Sequence, residues 1–183
     1  SDLENHLLCA LEAYACGNLS AAERLLPTKL AEIENCNDPF FLVGTHMLLG
    51  VVSRDEALLA RAVPKAESFL QQKRAHKLEK SIIAFLLDLY AKDVEKASED
   101  LLSVCKGFHM IGGRPFCTFA HGLYELAAKV LLEEEFALLK TPQSKHFLLE
   151  FAAWRRNHIH PDLSPYIRYP QDIKWVNEVY EAA

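Results

Sequence analysis

Gly17-Asn18-Leu19-Ser20-Ala21-Ala22-Glu23, Ser53-Arg54-Asp55-Glu56-Ala57-Leu58-Leu59 and Ala91-Lys92-Asp93-Val94-Glu95-Lys96-Ala97 read as one turn met three times, thirty-odd residues apart. Each ends an apolar run at helical spacing and opens another. The echo extends outward: Tyr14 and Tyr90 close the first helix of their units, and Leu25-Leu26 matches Leu101-Leu102. Pro27 and Pro64 punctuate the second helix of two units. Self-similarity at this period predicts an all-α fold of antiparallel helical hairpins. They stack as an α-solenoid-like, tetratricopeptide-like array, an architecture that serves protein binding more often than chemistry.

Caps and periodicity give about nine helices. Leu7, Leu8, Leu11, Tyr14 and Ala15 share the face of the first helix, which Gly17 stops. Ser20 with Glu23 makes a capping-box pattern for the second, which Pro27 kinks before Leu30, Ile33 and Cys36 continue its apolar face. Asp38-Pro39 is a start signal for the nearly all-apolar run 40–52, a buried central helix. Asp55 caps a helix with Pro64 in its middle, a polar stretch at 71–80 leads into the apolar run 82–90, and Asp93 caps the helix to Lys106. Beyond lie a glycine loop, a long apolar helix over 116–132, a helix over 147–154, an extended proline-rich stretch over 158–170 and a short amphipathic helix over 172–180. The chain reads as a single helical-repeat domain, 1–183, regular through residue 106 and less regular over 107–183.

Half of the 183 residues are apolar and a quarter are charged, which excludes a disordered chain. Net charge is −5. That balance disfavours nucleic acid, which needs clustered cations, and suits a basic protein partner. Cys9, Cys16, Cys36, Cys105 and Cys117 are odd in number and form no CxxC pair, so a reducing, cytoplasmic setting fits better than a disulfide scaffold. No apolar run approaches the roughly 20 residues that cross a bilayer, and no leader reads at Ser1.

Four constellations invite a chemical reading. His158 and His160 with Asp162 have the donor types of a Zn²⁺ or Fe²⁺ site, but lack a second motif on a rigid element. Cys117 and His121, one helical turn apart with His109 upstream, have the elements of a nucleophile with its base or of a metal site. The bland alternative is a packed helix face, with Cys117 as apolar filler and His121 hydrogen-bonded to backbone. The glycine loop 107–114 lacks the Lys-Ser/Thr of a phosphate loop and follows no strand. Trp154, Arg155, Arg156, Tyr166, Arg168, Tyr169 and Trp175 concentrate aromatic and basic side chains near the end of the chain. Such a mixture suits a protein interface, or stacking on single-stranded RNA; the acidic balance favours protein.

From about Phe40 onward the chain resembles an all-helical immunity-protein family of bacterial polymorphic toxin systems, the family numbered forty-nine. The resemblance lies in an order of features. Lys92-Asp93-Val94-Glu95-Lys96-Ala97 precedes a helix, and a loop leads to the small-residue helix Phe116-Cys117-Thr118-Phe119-Ala120-His121-Gly122-Leu123-Tyr124-Glu125-Leu126-Ala127. Tyr166-Ile167-Arg168-Tyr169-Pro170 comes late. The resemblance implies a non-enzymatic protein without cofactor or metal that occludes a cognate toxin, and the acidic balance suits a basic one. Glu133, Glu134 and Glu135 would be its charge partners, and Trp154, Arg155, Tyr166 and Tyr169 its anchors. Two alternatives stand beside it: a tetratricopeptide-like adaptor, and a helical metalloprotein or enzyme using His109, Cys117 and His121 or the His158/His160 pair.

Overall fold

The computed structural model describes residues 3–26, 37–108 and 116–157, all helix, turn and loop with no strand among them. The helices are α1 (Leu3–Ala15), α2 (Leu19–Leu25), α3 (Pro39–Ser53), α4 (Glu56–Leu70), α5 (Lys77–Ala91), α6 (Val94–Phe108), α7 (Thr118–Val130), the single turn α8 (Glu133–Phe136) and α9 (Leu149–Asn157). The Pro27 kink, the extended stretch 158–170 and the helix expected over 172–180 lie outside the described residues.

The three turns share one backbone design. In the first, Gly17 is left-handed at φ 72°, the Asn18 N–H donates to the Ala13 carbonyl at 2.9 Å, and Asn18 Oδ1 accepts from the Ala21 N–H at 3.0 Å. In the second, Arg54 sits at φ 55°, the Asp55 N–H reaches the Gly50 carbonyl at 3.0 Å, and Asp55 Oδ1 accepts from Leu58 at 2.9 Å. In the third, Lys92 sits at φ 58°, the Asp93 N–H reaches the Asp88 carbonyl at 2.9 Å, and Asp93 Oδ1 accepts from Lys96 at 3.2 Å. Each turn therefore closes one helix with a six-to-one hydrogen bond and caps the next with the following side chain.

This geometry corrects two sequence expectations. The cap of α2 is Asn18, not Ser20, because helical backbone already begins at Leu19, two residues after the left-handed glycine. The Tyr14–Tyr90 echo is one residue out of register. Aligned on the left-handed residue, Tyr14 corresponds to Val51 and Leu89, all buried, whereas Tyr90 is 37 % exposed. Leu26 likewise corresponds to Leu101, and Leu25 to Asp100. In this register Leu11, Leu48 and Leu86 are fully buried, as are Ala22, Leu59 and Ala97 four residues after each cap. Helical positions shared across units thus repeat in burial even where the residue type changes.

Helices α3 with α4 and α5 with α6 pack as hairpins, and α1, α3 and α5 lie side by side. Helix α3 is the buried centre expected from its composition, capped by Asp38 with Pro39 in its first turn. Pro64 sits inside α4 without ending it. The packing that the repeat does not announce is α7 on α1, as extensive as any among the described residues. Glu12 of α1 accepts from the Thr118 hydroxyl at 3.4 Å, and Lys129 of α7 pairs with Glu23 of α2. At the crossing, a Cβ on Gly122 would stand 2.0 Å from the Leu11 carbonyl oxygen and 2.7 Å from its carbon. Only hydrogen fits there.

Gly122→Ala should therefore force the two backbones apart. Urea unfolding is expected to show a loss of about 3 kcal/mol, the upper range for overpacking a core. A loss below about 0.5 kcal/mol would contradict the crossing as described.

Candidate functional site

Cys117 and His121 are both buried, and each accepts a hydrogen bond from a backbone N–H. Cys117 is the N-cap of α7: its Sγ accepts from the Ala120 N–H at 3.4 Å, and its own N–H donates to the His146 carbonyl at 2.7 Å. Its thiol lies beside that of Cys105 at the end of α6. This contact, followed by burial, holds the Cys105 thiol well above its ordinary range, and the contact with Cys105 draws Cys117 below it.

The His121 ring stacks on Phe147 with centroids 4.1 Å apart and meets Phe116 and Phe151 edge-on at 5.5 and 5.1 Å. His121 Nε2 accepts from the Leu148 N–H at 3.1 Å, so the ring is neutral with its proton on Nδ1. Burial pushes its pKa down to about 4. An imidazole engaged in this way holds the 147–148 segment against α7, and its basic nitrogen is already occupied. No group of three or more His, Cys, Asp or Glu side chains suited to a metal ion occurs among the described residues. His109, His158 and His160 lie outside them.

The three glutamates divide in role. Glu135 Oε1 pairs with Lys92 Nζ at 2.8 Å and Oε2 accepts from the Leu132 N–H at 3.0 Å; this ties α8 to the third turn and holds the carboxyl below its usual range. Glu133 and Glu134 are exposed. On either side of them stand Leu132, 54 % exposed, and Leu138, 70 % exposed.

Trp154 is exposed on α9, as are Leu148 and Leu149 at its start, and it stacks on Phe151 at 6.1 Å. Arg155 is buried, its guanidinium set where a Cβ on Gly17 would be, 1.2 Å from Nη2. A cation there meets the carbonyl end of α1, the favourable pole of the helix dipole. Arg155 thus seats α9 on the first turn, while Trp154 faces outward. Tyr166 and Tyr169 lie outside the described residues.

Two features escaped the sequence reading. A cavity of about 280 Å³ opens where the second and third turns meet the end of α7, floored by Val51, Leu59, Leu89 and Leu131. Arg54, Glu56, Tyr90 and Lys92 stand at its edge, and the Tyr90 hydroxyl donates to Glu56 at 3.3 Å. The residues that build it are scattered along the chain, so no local motif marks it. The second is a carboxyl pair. Asp88 of α5 and Asp100 of α6 hydrogen-bond to one another; burial first, then this pairing, pushes Asp100 up to about 8. One carboxyl of the pair is therefore protonated near neutrality.

The two titrations bear on stability in opposite directions. The unfolded chain protonates His121 near 6.5 and the folded chain only near 4, so the folded state loses stability as pH falls through that window, by about 3 kcal/mol when complete. Denaturant titrations from pH 7 to 4 should show this loss, and His121→Gln should flatten it. Asp100 binds its proton more tightly when folded, so its contribution is lost as pH rises from 3.8 towards about 8. Asp100→Asn should raise the melting temperature at pH 8–9 and remove that decline; an unchanged pH profile would deny the pairing. No protein-family profile, curated protein or solved structure matches this chain, so the functional evidence is the geometry of these surfaces.

Proposed function

We propose that this chain is a non-enzymatic protein-binding module of the immunity type, which neutralises a cognate bacterial toxin by covering its active site. The observation that carries the reading is the α8 surface. Glu133 and Glu134 project between Leu132 and Leu138, the two most exposed large apolar side chains among the described residues. Glu135 fixes this turn to Lys92 and so holds the surface in place before any partner arrives.

Exposed leucines alternating with carboxylates match a partner that is both basic and apolar. The carboxylates steer the encounter, and the leucines supply area that is desolvated on docking. The exposed Trp154 offers a second contact of the kind that dominates interface energetics. A cytoplasmic setting accords with the free thiols of Cys9, Cys16, Cys105 and Cys117. No helix among the described residues is long and apolar enough to cross a membrane. The helical hairpins also favour an adaptor with a different partner, distinguished from the immunity reading by what it captures.

The test is co-purification with the product of any toxin-like gene beside this one, followed by stopped-flow association. Glu133→Lys with Glu134→Lys should slow association at least tenfold at low salt and flatten its dependence on ionic strength. Trp154→Ala should act mainly on dissociation. An adjacent toxin that is not bound would refute the immunity reading, and an unchanged on-rate would remove the α8 surface from it.

A further inference from the structure

We propose that the cavity between the second and third turns is a binding site for a carboxylate carried on a compact apolar body. The argument begins with the backbone. The left-handed position of the first turn is a glycine, and the Arg155 guanidinium lies over it and leaves no room for a side chain. The corresponding positions of the other two turns are Arg54 at φ 55° and Lys92 at φ 58°. A side chain in that conformation costs on the order of 1–3 kcal/mol, a strain that collects at functional sites. Both of these residues are long cations, and both line the same cavity.

Their circumstances differ in a way that defines the ligand. Lys92 is committed to Glu135 at 2.8 Å, and Glu56 accepts from Tyr90 at 3.3 Å. The Arg54 backbone N–H closes α3 on the Gly50 carbonyl, while its side chain is exposed, with no ion pair or hydrogen bond found for the guanidinium among the described residues. The edge therefore presents one uncommitted guanidinium, whose planar fork matches a carboxylate with two parallel hydrogen bonds. Below it the floor is aliphatic, from Val51, Leu59, Leu89 and Leu131, with the Tyr90 ring at one side. A volume of about 280 Å³ equals the liquid share of about nine waters at roughly 30 Å³ each, room for a small arylalkyl or branched alkyl acid.

Two sources carry that chemistry, a free carboxylic acid and the C-terminal residue of a peptide. The site shares Leu132 with the α8 surface, but neither Glu133 nor Glu134 lines it, so a failure to capture a toxin would leave this proposal standing.

The experiment is a ¹³C-methyl NMR titration of the full chain with three probes: 3-phenylpropionate, its uncharged amide, and a tetrapeptide ending in phenylalanine with a free carboxyl. Saturable shifts at Val51, Leu59, Leu89 and Leu131 with a carboxylate probe, and at least tenfold weaker shifts with the amide, are the expected result. Whichever of the acid and the peptide binds tighter identifies the source. Arg54→Gly relieves the backbone and removes the guanidinium, so it should fold at least as stably and bind at least tenfold more weakly, while Arg54→Lys recovers part of the affinity. Equal binding of acid and amide, shifts unaltered in Arg54→Gly, or no saturable shifts with any probe would overturn the proposal.

Discussion

The contact of Gly122 with the Leu11 carbonyl governs how the rest of the molecule closes. Helical hairpins stacked in sequence leave the outer face of the first helix bare. Here that face is covered by α7, which can approach only because a hydrogen stands where any other residue would put carbon 2.0 Å from a backbone oxygen. Once α7 is seated, Cys117 comes beside Cys105 and His121 reaches the Leu148 amide. The turn preceding α8 then meets the cavity between the second and third turns. The features that carry the functional argument are thus downstream of one backbone crossing.

The groups that most resemble catalytic machinery in the sequence serve this crossing. Cys117 caps α7 and His121 clamps the segment before α9, each with its polar atom engaged inside the fold. Arg155, which in composition suits an interface, spends its charge on the first turn. What remains outward is simpler chemistry: two carboxylates among leucines, a tryptophan, and one guanidinium above an apolar hollow. Recognition needs no more than that arrangement.

The legible part of the fold was the part set by local rules. Asp38-Pro39, Asp55 and Asp93 announce helix starts because a capping side chain acts within three residues of itself. Residue-type matching was a poorer guide to register. Tyr90 resembles Tyr14, but burial follows Leu89, since the helix face and not the side-chain name decides what enters the core. The α1–α7 crossing was illegible because a small-residue helix does not say what it will approach. Of the candidate site, Glu133 and Glu134, named through the resemblance, and Trp154, named from the aromatic and basic composition, are exposed, whereas Arg54 was missed because the signal is a backbone angle.

The same closure changes how the chain is made. In an open solenoid each unit rests on its neighbour, so structure can spread repeat by repeat from either end. Here α1 meets its most extensive partner only when α7 exists, more than a hundred residues later in synthesis. Loop-closure entropy of that length has to be met before the contact returns anything, which slows the final docking. Helix α1 is thus synthesised well before the partner that completes its packing. Its leucine-rich face is in need of shelter in the interval, a constraint that an open solenoid does not place on its terminal helix.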